Sequence, residues 1–241
     1  MTDEVRREAL GLLGAGTAGL MFSGLTGAQT VESSKVNVRG SMAGWREPKP
    51  LAFDPAKLNG LSEKLIRSHW ENNYVGSVRS LNMISERLAA AMREPELPPV
   101  VYGGLKREEL HRVGSVILHE HYFDHLGGDG KPAGTVLDAI KRGYGSEEAW
   151  EAEFRRTAMS LAGGSGWCAL TYNVYTEELR NQWAWDHMHS AIGGLPLVVL
   201  DMYEHSYHMD YGTSAAKYVD AFMRNLNWEE IDKRFTRYGK A

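Results

Sequence analysis

Leu195-Pro-Leu-Val-Val-Leu-Asp201-Met-Tyr-Glu-His205-Ser-Tyr-His-Met-Asp-Tyr-Gly212 is the stretch on which the reading of this chain turns. Its first part, Leu195–Leu200, is apolar and β-branched, the composition of a buried strand. The run ends at Asp201, and His205 follows four residues on. A strand that delivers a carboxylate into a turn, with an imidazole close behind, aims two metal-ligating groups at one point.

Further ligands for that point are available upstream. Leu61-Ser62 opens a long helical pattern with Ser62 as N-cap. The stripe Ile66, His69, Asn73, Ser77, Leu81, Ile84, Leu88 keeps helical spacing to about Arg93, where Pro95, Pro98 and Pro99 stop it. A second helix is expected from Lys106 to His125, with Val116, His119, Phe123 and Leu126 on one face and Gly127-Gly128 at its end. Two helices joined by a short Pro/Gly loop lie antiparallel. His69 and His119 each interrupt an apolar stripe, so both point into the interhelical space. A lone buried histidine is ordinarily structural, but two on facing helices each need a polar partner.

Between these parts, residues 132–161 carry two more helical patterns, with a turn at Gly143–Ser146. Ser146 followed by Glu147 and Glu148 suits the start of the second. Trp167–Tyr175 and Leu179–Trp185 are rich in aromatic and β-branched residues and read as strands, which with Leu195–Leu200 make a small antiparallel sheet. Lys217–Leu226 is a closing helix. The layout is α+β: an N-terminal antiparallel helical hairpin over residues 51–128, then a C-terminal α/β domain with a three-stranded antiparallel sheet over residues 129–241.

Residues 29–50 read as a linker and extended lead-in, and residues 1–28 as a targeting segment. Arg6-Arg7 precede an uncharged Gly/Ala-rich run that is too short and too weakly apolar for a membrane span. Paired arginines in that place resemble the twin-arginine export signal, which implies a periplasmic or secreted protein. The competing expectation is an amphipathic N-terminus on a cytoplasmic one.

Composition excludes several classes. The chain has 241 residues and a net charge of −4, without the basic surplus of a nucleic-acid binder. Its single cysteine, Cys168, rules out an intramolecular disulfide and any multi-cysteine zinc site. Five of the nine histidines fall in two tight groups, His119, His121 and His125 in one and His187 and His189 in the other, and His205 and His208 lie in the opening stretch. His69, His119, Asp201 and His205 together make a three-imidazole, one-carboxylate set, which suits iron or manganese. A mononuclear iron oxygenase would use a 2-His-1-carboxylate face with open positions, and a fourth protein ligand argues against it.

The longer string is more specific than the spacing. Asp201-Met-Tyr-Glu-His205-Ser-Tyr207 resembles the C-terminal signature of iron/manganese superoxide dismutases, Asp-x-Trp-Glu-His-Ala-Tyr. Pro50–Leu58 is similar to the family's lead-in, His69 with Leu81-Asn82 to its first ligand helix, and His119-Glu-His-Tyr-Phe123 to its second. Gly164-Ser-Gly-Trp167 is similar to its aromatic-pocket strand, and Asn225-Leu-Asn-Trp228 to its final helix end. The resemblance covers roughly Pro48 to Phe235.

It implies one iron or manganese ion per subunit held by His69, His119, Asp201 and His205, superoxide as substrate, and dioxygen and hydrogen peroxide as products. It also implies a homodimer or tetramer in which Glu204 reaches the partner's ligand histidine. Where family members place a glutamine against the bound solvent, this chain has Asp186-His187-Met-His189, so His187, or else His189, takes that role. Other positions depart from the family. Ser77 stands at the gateway tyrosine, Asn73 at a usual histidine, and His208 at the interface tyrosine. Tyr203, Phe123 and Ala169 replace tryptophans. Tyr74 is a replacement phenol for Ser77, displaced around the helix from it, and Trp167 lines the pocket. With that shell rewritten, the other outcome is a metal-binding family relative with little dismutase activity.

Overall fold

The computed structural model describes residues 45–239. The targeting segment expected over residues 1–28, and the lead-in as far as residue 44, lie outside the described residues.

The hairpin opens with α1 (Glu63–Ser68), where Ser62 Oγ accepts from the Leu65 N–H as an N-cap. The chain then widens into a π-helical turn over His69–Tyr74, in which the Val75 N–H donates to Trp70 O, before resuming as α2 (Val75–Ala91). A regular helix would set Tyr74 about 140° around the axis from His69. The widened turn instead leaves both side chains buried. The sequence pattern carried no sign of this turn, since a π segment is a change of phase rather than of composition.

The second helix, α3, runs Pro99–Asp124 and begins earlier than the expected Lys106. Pro98 and Pro99, read as breakers, in fact precede and occupy its first turn, where a missing N–H costs nothing and the fixed φ favours the helix. After α4 (Thr135–Tyr144), Ser146 caps α5 (Glu147–Met159) by accepting from the Ala149 N–H.

The three strands are β1 (Trp167–Asn173), β2 (Glu178–Ala184) and β3 (Gly194–Asp201), antiparallel in the order β2-β1-β3. The register sets Trp167 opposite Asp201, which brings the pocket tryptophan beside the carboxylate. A shift at Leu170/Thr171 lets Pro196 sit on the edge strand without breaking the pairing. Residues Leu197–Asp201 are all buried, a continuous rather than alternating pattern, because β3 packs against α3 as well as the C-terminal helix.

That C-terminal helix corrects the sequence reading. The expected closing helix at Lys217–Leu226 is α7 (Ala215–Arg224), preceded by the four-residue α6 (His208–Tyr211). A further helix, α8 (Trp228–Tyr238), follows it. Asn227 caps α8 by accepting from the Glu230 N–H, and Trp228 and Ile231 bury its inner face. The end of α3 is tied to this junction, with Asn227 N–H donating to His125 O at 2.6 Å and Gly128 N–H to Asn225 O at 3.1 Å. Hairpin and sheet share one core that includes Leu65, Ile66, Tyr122, Phe154, Trp167 and Leu200.

Candidate metal centre

β3 delivers Asp201 to the centre of the molecule, and its backbone and side chain are held from several directions. Its carbonyl accepts from Ser206 Oγ at 2.8 Å and Tyr218 Oη at 2.7 Å, and its Oδ1 accepts from the Tyr203 N–H at 2.9 Å. The 3₁₀ turn at Glu204–Ser206 folds the chain back, so the remaining oxygen, Oδ2, faces His205.

Three imidazoles converge on that oxygen. His69 Nε2 and His205 Nε2 each lie 3.1 Å from Asp201 Oδ2, and His119 Nε2 lies 3.6 Å from it. The four donor atoms all fall within 4.8 Å of one another. Atoms bound to one ion through bonds of about 2.1 Å sit roughly 3.0–3.6 Å apart when the bond angles are 90–120°. The separations from Oδ2 fit that geometry. His119 Nε2 is buried and has no hydrogen-bond partner among the described residues, an orphaned lone pair of the kind a metal satisfies. Its other nitrogen, Nδ1, donates to Ser115 O at 2.7 Å, which fixes the tautomer and leaves Nε2 free to ligate.

Electrostatics support the same reading. Burial would push the Asp201 carboxyl up, but His205 and then His69 outweigh it and hold it well below the usual carboxylate range. Burial lowers His119 to about 3, with His69 adding to the effect, and burial also lowers His69 against the pull of Asp201. His205 is less enclosed, so Asp201 overcomes its burial and raises it. A carboxylate beside the neutral imidazoles of His69 and His119 is a donor state that binds iron or manganese, and His205 would give up its proton on joining it.

The surrounding residues fall into distinct places. Trp167 Nε1 donates to His187 Nδ1 at 2.9 Å, and the His187 ring lies 5.9 Å from that of His119. Tyr203 stacks between His187, at 5.0 Å, and His205, at 5.3 Å. Burial, with help from Asp201, pushes the Tyr203 phenol up to about 12, so it stays neutral. His189 is at the surface, against Trp185 and 3.4 Å from Asp186 Oδ1, away from the four donors. Of the two histidines in that segment, His187 is the one the fold brings to the site.

Ser77 is buried and its Oγ lies 2.8 Å from Ser115 Oγ, which is in turn 3.3 Å from His119 Nδ1. The Tyr74 ring lies 6.5 Å from that of His119, but its hydroxyl is committed elsewhere. It accepts from the Lys49 N–H at 2.8 Å and donates to Glu120 Oε1 at 3.0 Å. Tyr74 therefore does not present a free phenol in place of the one absent at Ser77. Glu204 and His208 are exposed and Asn73 is half-buried.

The sequence reading missed Ser115, Tyr122 and His111. Ser115 stands one helical turn before His119, the position from which a backbone carbonyl reaches an imidazole, and that spacing was the available signal. Tyr122 packs against His69 at 4.9 Å. His111 packs edge-on against His187 at 4.8 Å.

Comparisons with known proteins point the same way. The family model for the C-terminal domain of iron/manganese superoxide dismutases matches residues 132–234. The chain is 54% identical over 189 residues to an iron superoxide dismutase of Cupriavidus metallidurans, covering 78% of this chain and 95% of that one. It is 34% identical over 202 residues to an iron superoxide dismutase of Aquifex pyrophilus, covering 81% and 93%. It is 32% identical over 194 residues to manganese superoxide dismutase 1 of Halobacterium salinarum, covering 78% and 94%. Similarity of this extent runs through both the hairpin and the sheet, and the chain belongs to the iron/manganese superoxide dismutase family.

Proposed function

We propose that this protein is a superoxide dismutase, converting superoxide to dioxygen and hydrogen peroxide at one iron or manganese ion per subunit. The observation that carries the reading is the convergence of three imidazole nitrogens on one buried carboxylate oxygen, at separations of 3.1–3.6 Å. When bound, the ion supplies the one-electron chemistry, taking an electron from one superoxide and giving it to a second, which leaves with two protons as hydrogen peroxide.

The chain's own residues do the rest. Three neutral imidazoles and a single carboxylate leave a divalent or trivalent ion with net positive charge, which draws an anion inward although the chain as a whole carries −4. Trp167 can only donate, so His187 accepts at Nδ1 and carries its proton on Nε2. Burial lowers His187 to about 4, so at neutral pH it is an uncharged donor. A donor beside the ligand set stabilises oxygen that gains charge there, and it tunes how readily the ion changes oxidation state.

A homodimer belongs to the same proposal. The side chains of His69, His119 and Asp201 are at most 1% exposed, whereas that of His205 is 28% exposed. Glu204 beside it is exposed. A second copy related by a two-fold axis would cover His205 and offer its own Glu204 carboxylate to the imidazole N–H. Export is proposed as well, from Arg6-Arg7 and the weakly apolar run after them. Fractionation with N-terminal sequencing of the mature protein tests it.

The deciding experiment for the activity is superoxide removal by the purified full chain, with iron and manganese quantified, before and after exchange of one metal for the other. Activity should scale with bound ion for at least one of the two. Full occupancy by each in turn without superoxide removal would refute the proposal.

A further inference from the structure

His187 reaches the site from a loop, between Ala184 at the end of β2 and Gly194 at the start of β3. Loops alone position side chains loosely. Here the loop rests directly on α3. A Cβ at Gly114 would lie 1.8 Å from His187 O, 2.9 Å from its carbonyl carbon and 3.6 Å from its Cα. No side chain fits in that space, so only glycine lets the His187 backbone lie against the helix. One turn earlier on the same helix, the His111 ring meets the His187 ring edge-on at 4.8 Å and 73°. Tyr203 stacks on the same ring at 5.0 Å and 15°, and Trp167 fixes Nδ1 at 2.9 Å.

The geometry points to Gly114 and His111 as positioning residues for His187. The inference rests on the role proposed above for His187. It adds that α3 carries both the ligand His119 and the seat of the donor, so one rigid helix sets the spacing between them. His111 acts by shape: its ring packs edge-on against the imidazole on which Tyr203 stacks. Gly114 acts by absence, as the position where the loop's backbone touches down.

The test uses the metal-loaded full chain and four variants, Gly114→Ala, His111→Ala, His111→Phe and Gly104→Ala. Gly104 lies on the same helix with nothing within 4 Å of an added Cβ, so it reports the effect of alanine alone. The readouts are the crystal structure, the midpoint potential of the bound ion, and turnover per bound ion. In Gly114→Ala the Trp167–His187 hydrogen bond should open, the potential should shift, and turnover should fall about tenfold or more. His111→Ala should show a smaller loss, and His111→Phe, which keeps a ring, should recover to within about twofold of wild type. Gly104→Ala should leave all three readouts unchanged. Should Gly114→Ala fail to fold, the His111 pair carries the test. A wild-type His187 position and potential in both Gly114→Ala and His111→Ala would overturn the inference. A displaced His187 with unchanged turnover would uphold the seat and refute the role assigned to His187.

Discussion

Trp167 and His187 are joined by a single hydrogen bond, indole N–H to imidazole Nδ1 at 2.9 Å, and it sets which nitrogen of His187 can donate. Glutamine can copy this arrangement, with its carbonyl accepting from Trp167 and its amide donating on the other side. His187→Gln should therefore keep turnover per bound ion within about fivefold of wild type. His187→Ala strands a buried indole donor, a penalty of about 1–3 kcal/mol, and should lose about tenfold or more. Steady-state superoxide removal normalised to metal content distinguishes the two. Equal losses would remove the donor role.

Ligation should be visible as stability. At a free metal concentration about 100 times Kd, binding adds roughly 2.7 kcal/mol, which for a chain of this size raises Tm by about 5–10 °C. Asp201→Asn keeps the shape but replaces the oxygen on which the three imidazoles converge. It should abolish most of that increment and most of the bound ion. Calorimetry with and without a chelator, beside elemental analysis, measures both.

Acid should destabilise the fold through His125. This residue is fully buried, the Val199 N–H points at its Nδ1 from 3.4 Å, and the Arg234 guanidinium lies on its Nε2. Burial first, then Arg234, holds it well below its ordinary value of 6.5. The unfolded chain thus binds this proton more readily than the folded one. Stability is fully present above about pH 6.5 and falls as the pH drops below it, by roughly 1.4 kcal/mol per unit for each such histidine. Urea titrations at pH 7 and pH 5.5 should show a smaller pH dependence in His125→Gln, by up to one proton's worth of slope. An unchanged slope would reject this account.

Association should depend on the exposed residues beside His205. Glu204→Ala and His208→Ala should each raise the dimer dissociation constant about tenfold or more, read by sedimentation equilibrium. A wild-type protein that is monomeric at micromolar concentration with its metal and activity intact would contradict the dimer.

The fold class and the four converging donors were legible in the sequence, the set as a whole through the resemblance of Asp201–Tyr207 to the family signature. His69 and His119 interrupt apolar stripes, and Asp201 ends an apolar strand. The residues around them were harder to see. The π turn at His69–Tyr74 changes helical phase by an amount that no residue type announces, and the hydroxyl of Tyr74, read as a replacement phenol for Ser77, is committed to Lys49 and Glu120. Gly114 drew no notice, since its meaning lies in the His187 carbonyl brought to it by a distant loop. His111 was passed over too, since only the folded loop brings His187 to it. α8 did have a signal, Asn227 capping Glu230 with Trp228, Ile231, Phe235 and Tyr238 at helical spacing. The sequence reading nonetheless ended its closing helix at Leu226.

The position of Asp201 at the far end of β3 has a consequence in time. During synthesis the hairpin that carries His69 and His119 is made well before β3. The oxygen on which they converge is not yet made, and it enters only when β3 pairs beside β1 and sets Asp201 opposite Trp167. Until then the two imidazoles lack the carboxylate on which they converge. The four-donor set is therefore complete only once the sheet has closed.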